Sequence, residues 1–136
     1  MQLVRFFFFY VLMSSSFFAI AGNENVQVVL HVNDDFKLSY LENSVKSIRQ
    51  DMGDDVEIQV VINGKAVTRM LRSNEVSKKI VQNVLKLNAA ISVCHNALNN
   101  NNVTPDMLIE GLNVLKTDGN VAIINYQRKG YLYIKI

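Results

Sequence analysis

Cysteine is scarce in this 136-residue chain, in which Cys94 is the only one. A single cysteine cannot form an intramolecular disulfide, the usual reason for an exported chain to keep this residue. Histidine occurs only twice, and neither histidine has the spacing of a metal site. The sequence also lacks the Gly-x-Ser-x-Gly elbow of hydrolases, a phosphate-binding loop and a dinucleotide fingerprint. We therefore predict neither a bound metal nor a cofactor.

The sequence also has no large excess of either positive or negative charge. The chain carries 14 basic and 12 acidic residues, which gives a net charge of +2 at neutral pH. A protein that binds nucleic acid or an anionic membrane needs a clustered basic face, which this balance does not provide. We expect no nucleic-acid partner.

The longest apolar run lies at the N-terminus and is typical of a secretory signal. Arg5 precedes an unbroken apolar stretch over residues 6–13, and Ala19-Ile20-Ala21 supplies the small-x-small pattern of a cleavage site. The stretch is shorter than the ~20 residues that cross a bilayer. We predict a signal peptide over residues 1–21, a single mature domain over residues 22–136, and a periplasmic protein that is free of the membrane after cleavage.

Apolar runs alternate with amphipathic segments along the mature chain. Five runs are predicted to be strands: residues 26–32, 56–62, 89–94, 112–115 and 131–136, the last as an edge strand. Capping residues predict helices that begin at Asn33-Asp34-Asp35, Ser73-Asn74, Asn96, Thr104-Pro105-Asp106 and Asp118-Gly119-Asn120. The predicted core-facing positions are Leu41, Val45, Ile48 and Met52 in the first helix and Val76, Ile80 and Val84 in the second. This alternation predicts an α/β fold, a three-layer α/β/α sandwich around a mostly parallel sheet of about five strands.

Chemically useful side chains follow three of the predicted strands. Functional groups of parallel sheets gather beyond the carboxyl ends of the strands. The residues at those ends are His31 and Asn33, Asn63 and Gly64, and Cys94, His95 and Asn96. The sequence therefore predicts one candidate site at this edge of the sheet.

Cys94 has two interpretations. A thiol at the start of a helix lies near the positive end of the helix dipole, which favours the reactive thiolate. A free cysteine is also one of the most frequently buried residue types and can be an inert part of the core. His95 can shuttle a proton or supply positive charge, or simply face solvent.

Several segments together resemble the exported DsrE/DsrF-like (YchN-like) family. Val93-Cys94-His95-Asn96-Ala97-Leu98, then Thr104-Pro105-Asp106-Met107-Leu108 and Gly111, is similar to the family signature Cys-x-Asn-Thr-Leu … Thr-Pro-x-x-Leu-x-x-Gly. The segments His31-Val32-Asn33-Asp34, Val60–Val67 and Gly130–Lys135 resemble the family's first strand end, second strand and closing strand. Ala97 stands where the family pattern usually has threonine.

The resemblance implies a flavodoxin-like DsrE/DsrF-type sandwich that assembles as a homotrimer or a multiple of it. It also implies sulfur relay, with Cys94 as the sulfur acceptor, Asn96 as its matched neighbour and a donor or acceptor protein as partner. The alternative function is a non-catalytic, homo-oligomeric module that binds a small ligand or a protein, with Cys94 buried and inert.

Overall fold

The computed structural model describes residues 25–136 and contains one five-stranded, all-parallel sheet in the order β4-β3-β2-β1-β5. The strands are β1 (Gln27–Val32), β2 (Glu57–Ile62), β3 (Ala89–Cys94), β4 (Asn113–Leu115) and β5 (Leu132–Lys135). The helices are α1 (Leu38–Met52), α2 (Glu75–Lys86), α3 (His95–Asn100) and α4 (Gly119–Arg128). Short 3₁₀ helices span Asp35–Lys37, Gly64–Arg69 and Pro105–Met107. The α/β fold with a parallel sheet is confirmed, whereas the predicted signal peptide lies outside the described residues. None of the helices within residues 25–136 is long and apolar enough to span a bilayer.

The order of the strands determines which face each helix covers. From β1 to β4 the chain advances in one direction, and it then returns across the sheet to place β5 beside β1. Because crossovers between parallel strands are right-handed, the return connection must run over the opposite face. The hydrophobic core is therefore divided into two clusters, one on each face of the sheet. Leu30, Val60 and Ile91 pack in the cluster that contains Leu41 and Val45 of α1.

The opposite face is covered by α4. Val29, Val61 and Ile123 form a second cluster with Tyr131. Val61 is fully buried there, although the alternating pattern of β2 predicts it on the wetter face. The return of α4 across the sheet explains the difference, since sequence alternation does not show which part of a face a helix will cover.

Two predicted helix starts are capped by the expected side chains, and the strand boundaries agree with the predictions to within one residue. Asp34 accepts a hydrogen bond from the Phe36 N–H at 3.0 Å, and Asn74 accepts one from the Ser77 N–H at 3.1 Å. These bonds satisfy amide groups that the first turn of a helix leaves free. Within residues 25–136, β5 pairs only with β1 and is therefore an edge strand, as predicted.

Two predicted core positions are wrong. Val76 is 73% exposed, and Met52 is 50% exposed. In α2 the buried positions are Ser77, Val81 and Val84, and Ile80 is partly buried against the core, so the predicted stripe fails only at Val76. Met52 is the last residue of α1, where the helix has run past the end of the core.

The helix predicted from Thr104 to Gly111 is also wrong. Only one 3₁₀ turn forms, at Pro105–Met107, and Leu108 is extended. Leu108 makes an antiparallel bridge with Leu71, and the Ile109 N–H donates to the Met70 carbonyl at 2.9 Å. These tertiary backbone bonds replace the hydrogen bonds that a helix would have made.

Arg49 joins the turns that lead into β2 and β3. Its side chain donates to five main-chain carbonyls at 2.6–3.3 Å, those of Gly53, Asp54, Val56, Leu87 and Asn88. A guanidinium can satisfy several carbonyls at once because its donors are held in a rigid fork. The side chain therefore fixes the amino-terminal edge of the sheet, at the end away from the candidate site.

Replacement of Arg49 should cost stability without affecting the opposite edge. Arg49→Leu leaves the turn carbonyls without their donor, and we expect the free energy of unfolding to fall by about 1–3 kcal/mol. The stability of Arg49→Lys should lie between that of the wild type and that of Arg49→Leu, because an ammonium group cannot reproduce the fork of donors. Urea unfolding measures the effect, with Gln50→Leu on the exposed side of the same helix as the control. An Arg49→Leu variant as stable as Gln50→Leu would contradict this role.

Candidate functional site

Cys94 lies at the carboxyl end of β3, where it is the residue before the first turn of α3. Its prediction at a strand-to-helix junction is confirmed, and the residue is 2% exposed. Its Sγ accepts a hydrogen bond from the backbone N–H of Gly119 at 3.2 Å. The thiol therefore contacts the first residue of α4, the helix on the other face of the sheet. Cys94 is at the same time the residue that precedes α3.

Gly119 allows this approach because it has no side chain. A Cβ at residue 119 would lie 3.2 Å from the Cβ of Cys94 and 3.1 Å from both the Cβ and Nδ2 of Asn63. These distances are shorter than ordinary van der Waals contact, and the two Cβ atoms are fixed by strand ends. The first turn of α4 thus rests directly on the ends of β2 and β3.

Asp118 supplies the negative charge nearest to the thiol. One carboxylate oxygen accepts the Asn120 N–H at 2.8 Å and caps α4, and the other accepts the Asn96 side-chain amide at 3.2 Å. These hydrogen bonds hold the pKa of Asp118 below its usual value. The second oxygen lies 3.9 Å from Sγ of Cys94, close enough to accept the S–H. The sulfur atom therefore has a backbone donor on one side, the Gly119 N–H, and a carboxylate on the other, that of Asp118.

A chain of hydrogen bonds reaches the same turn from β1 and β5, on the face of the sheet that α4 covers. The ring of His31 bonds the Tyr133 hydroxyl through Nδ1 at 2.8 Å and the Asn63 side-chain oxygen through Nε2 at 2.9 Å. The Asn63 amide nitrogen then donates to the Asn120 side-chain oxygen at 3.3 Å. His31 and Asn63, predicted as supporting residues, are therefore connected to the α4 turn that contacts Cys94.

The surroundings of His31 disfavour its charged form. Burial lowers its pKa below the ordinary value, and the positive charge of Lys135 lowers it further, while the bond to Asn63 acts in the opposite direction. Its register partner in the sheet is Lys135 itself. The ring therefore contributes hydrogen bonds and not charge to this edge of the sheet. The nearby positive charge is that of Lys135.

The other predicted site residues, His95, Asn33 and Gly64, lie outside this network of hydrogen bonds. His95 is exposed, and its Nε2 accepts a hydrogen bond from the Asn99 side chain at 3.1 Å. Asn33 and Gly64 lie together, since a Cβ at residue 64 would be 2.9 Å from the Asn33 carbonyl oxygen and Gly64 has a φ of +57°. They shape the loops beside Asn63, and no hydrogen bond joins them to the thiol within the described residues.

Four residues of this cluster were not predicted as functional. Asp118, Gly119 and Asn120 are visible in the sequence as the start of a helix, and Tyr133 as part of an edge strand. No local pattern shows that the last helix returns to Cys94, because that contact arises from the strand order. A glycine directly after a capping aspartate is a weak signal of close approach.

The arrangement has the groups for thiol chemistry and for polar recognition. Within residues 25–136, no three histidine, cysteine, aspartate or glutamate residues lie close enough to bind a metal together. The cluster instead offers one thiol, one carboxylate, one neutral imidazole and several side-chain amides. These groups can stabilise a sulfur anion, transfer a proton, or hydrogen-bond a polar ligand.

Gly119→Ala should separate α4 from the ends of β2 and β3. The added methyl has no room between the Cβ atoms of Asn63 and Cys94, and this cost should exceed the helix propensity gained with alanine. We expect the free energy of unfolding to fall by about 1–2 kcal/mol. Chemical denaturation measures it, with Gln127→Ala on the exposed face of α4 as the control. A Gly119→Ala variant that is more stable than the wild type would contradict the close contact.

The comparisons with known proteins support the fold. No protein-family model matches the sequence, and no curated protein sequence matches it either. Solved structures do match. One is MTH1491 of Methanobacterium thermoautotrophicum, a protein of unknown function, with a TM-score of 0.74 and 26% identity over 82% of this chain and 99% of that chain.

Two further structures have the same fold at lower identity. The YchN protein of E. coli matches with a TM-score of 0.66 and 14% identity over 82% of this chain and 99% of its own. BT1422 of Bacteroides thetaiotaomicron, a conserved protein of unknown function, matches with a TM-score of 0.63 and 16% identity over 85% of this chain and 99% of its own. The resemblance found in the sequence motifs is thus confirmed for the fold, which this chain shares with YchN and the other two solved structures.

Proposed function

We propose that this protein handles sulfur through Cys94, as an acceptor and carrier of a sulfane sulfur atom. The observation that carries the proposal is the hydrogen bond from the Gly119 N–H to Sγ at 3.2 Å. A backbone donor at the start of a ten-residue helix stabilises a sulfur anion, both as thiolate and as persulfide. The predicted signal peptide makes the periplasm the compartment of this proposal.

The proposed step is a transfer without net oxidation. The Cys94 thiolate attacks the outer sulfur of a donor persulfide, R–S–SH. A sulfur–sulfur bond forms at Sγ while the bond inside the donor breaks, and the donor leaves as the thiolate R–S⁻. The Cys94 thiol first loses its proton to solvent.

Burial of the thiol sets a condition on this function. Cys94 is 2% exposed, so a donor can reach Sγ only when the turn formed by Asp118 and Gly119 moves away. The same burial supports the second candidate function, a non-catalytic binding module in which Cys94 is an inert part of the core. In that case the amides of Asn63, Asn96 and Asn120 would be the recognition groups.

Sulfur loading separates the two candidates. Native protein incubated with a low-molecular-weight persulfide should gain one sulfur atom at Cys94, seen by intact mass and peptide mapping. Cys94→Ser should gain none and remain folded, because its hydroxyl can accept from the Gly119 N–H and donate to Asp118. Asp118→Asn keeps the helix cap but removes the charge 3.9 Å from Sγ, so we expect loading about three to ten times faster near neutral pH.

The binding-module function predicts the opposite result. The thiol of the native protein would then resist both the persulfide and a small alkylating reagent, and would react only in denaturant. Such a result, with Asp118→Asn equally unreactive, would exclude sulfur transfer by Cys94.

We further propose that the protein is a homo-oligomer, a trimer or a multiple of one. β5 is an edge strand whose Leu132, Tyr133 and Ile134 are 59%, 40% and 40% exposed. A long apolar edge with free backbone groups is prone to pair with another chain unless it is covered. A second copy of this chain would cover it.

Leu132→Glu should weaken this assembly. A charge on an edge strand opposes pairing, so the mass from light scattering should fall toward that of one chain. The control is Val76→Glu, which places the same charge on another exposed apolar residue, at the start of α2. A wild-type protein that is monomeric at every concentration would refute the assembly, and equal effects of both variants would place the interface elsewhere.

A further inference from the structure

We infer that His31 is a positioning residue for the first turn of α4: it fixes the Asn63 amide and, through it, holds the Gly119 N–H against the Cys94 thiol. The inference deepens the proposed sulfur function, on which its chemical importance rests. Its basis is the continuous contact from β1 through the end of β2 to α4.

The hydrogen bonds of Asn63 determine the state of the histidine ring. The Asn63 nitrogen donates to the Asn120 oxygen, so its oxygen is the atom that faces His31. Nε2 of His31 must then carry the hydrogen, and Nδ1 of the neutral ring accepts from the Tyr133 hydroxyl. Of the two neutral tautomers, only this one satisfies all three bonds at once.

The Asn63 side chain also lies beside Gly119. A Cβ at residue 119 would lie 3.1 Å from Asn63 Nδ2, about as close as the Cβ of Cys94 at 3.2 Å. Rotation of the Asn63 amide would therefore disturb the residue whose N–H binds Sγ. His31 is the partner that prevents this rotation, because it binds the amide oxygen at 2.9 Å.

The charges around His31 keep the arrangement constant near neutral pH. On β5 the ring is bonded to Tyr133 and faces the positive Lys135, whose nearest acidic influence is Asp34. On the opposite side it meets the uncharged Asn63. Burial and Lys135 both disfavour a charged ring. The influence of His31 on the thiol is thus exerted through Asn63 and not through its own charge.

Three variants separate this role from simple packing. His31→Leu removes the donor to Asn63, His31→Gln retains an amide donor, and Tyr133→Phe removes the bond on the side of the ring away from Cys94. Ultraviolet absorbance of the thiolate reports ionisation of Cys94 as a function of pH, with the same variants in a Cys94→Ala background as blanks. Hydrogen exchange of the Gly119 amide reports whether its N–H stays bound.

His31→Leu should lower the thiolate fraction at a fixed pH about three- to tenfold and speed exchange of the Gly119 amide about tenfold. His31→Gln and Tyr133→Phe should stay within about twofold of the wild type in both measurements, since water can replace the hydroxyl of the exposed Tyr133. Thermal unfolding of each variant checks that the fold is intact.

Two results would overturn the inference. One is an unchanged thiolate titration and Gly119 exchange in folded His31→Leu, and the other is an equal effect of Tyr133→Phe. Neither measurement requires sulfur transfer, so a protein that fails to load sulfur can still show the positioning effect. Failure of the positioning inference can therefore be distinguished from failure of the proposed sulfur function.

Discussion

The contact of Gly119 with Cys94 and Asn63 is the constraint on which the candidate site depends. Reversal of the strand order after β4 sends α4 over the opposite face of the sheet, and its first turn arrives at the carboxyl ends of β2 and β3. A Cβ at this residue would crowd the Cβ atoms of Asn63 and Cys94. The contact has two consequences for the thiol, because the Gly119 N–H reaches Sγ while the same turn removes Cys94 from solvent. Stabilisation of a sulfur anion and protection from reagents thus have one structural origin.

The polar groups around the thiol balance one another. The Gly119 N–H donates to the sulfur on one side, and the Asp118 carboxylate lies 3.9 Å from it on the other. Asp118 keeps its own charge because Asn120 and Asn96 donate to it. His31 remains neutral and acts as a hydrogen-bonding spacer between β5 and Asn63. Movement of the α4 turn would change the donor, the carboxylate and the access to solvent together, which makes this turn the natural point of control in a sulfur carrier.

Much of the fold could be predicted from the sequence because it is encoded locally. The β-branched runs become the strands, and the capping residues Asn74 and Asp118 begin helices as expected. Predictions failed where tertiary contacts decided the structure. The Thr104-Pro105-Asp106 motif begins a single turn, since Ile109 bonds to the Met70 carbonyl instead of continuing a helix. The candidate site was predictable only in part: the carboxyl ends of the strands supplied Cys94, Asn63 and His31. The roles of Asp118 and Gly119 depend on a crossover between distant segments that no local pattern records.

The central claim is that Cys94 carries a sulfur atom. The modification of Cys94 in the cell tests this claim most directly. Protein purified from the cells that make it, without reductant, can be digested and its Cys94 peptide analysed by mass spectrometry. The account predicts a fraction of that peptide with one additional sulfur atom, which a thiol reductant removes. A Cys94 peptide found only as the free thiol, in cells supplied with a sulfane sulfur source, would contradict the account.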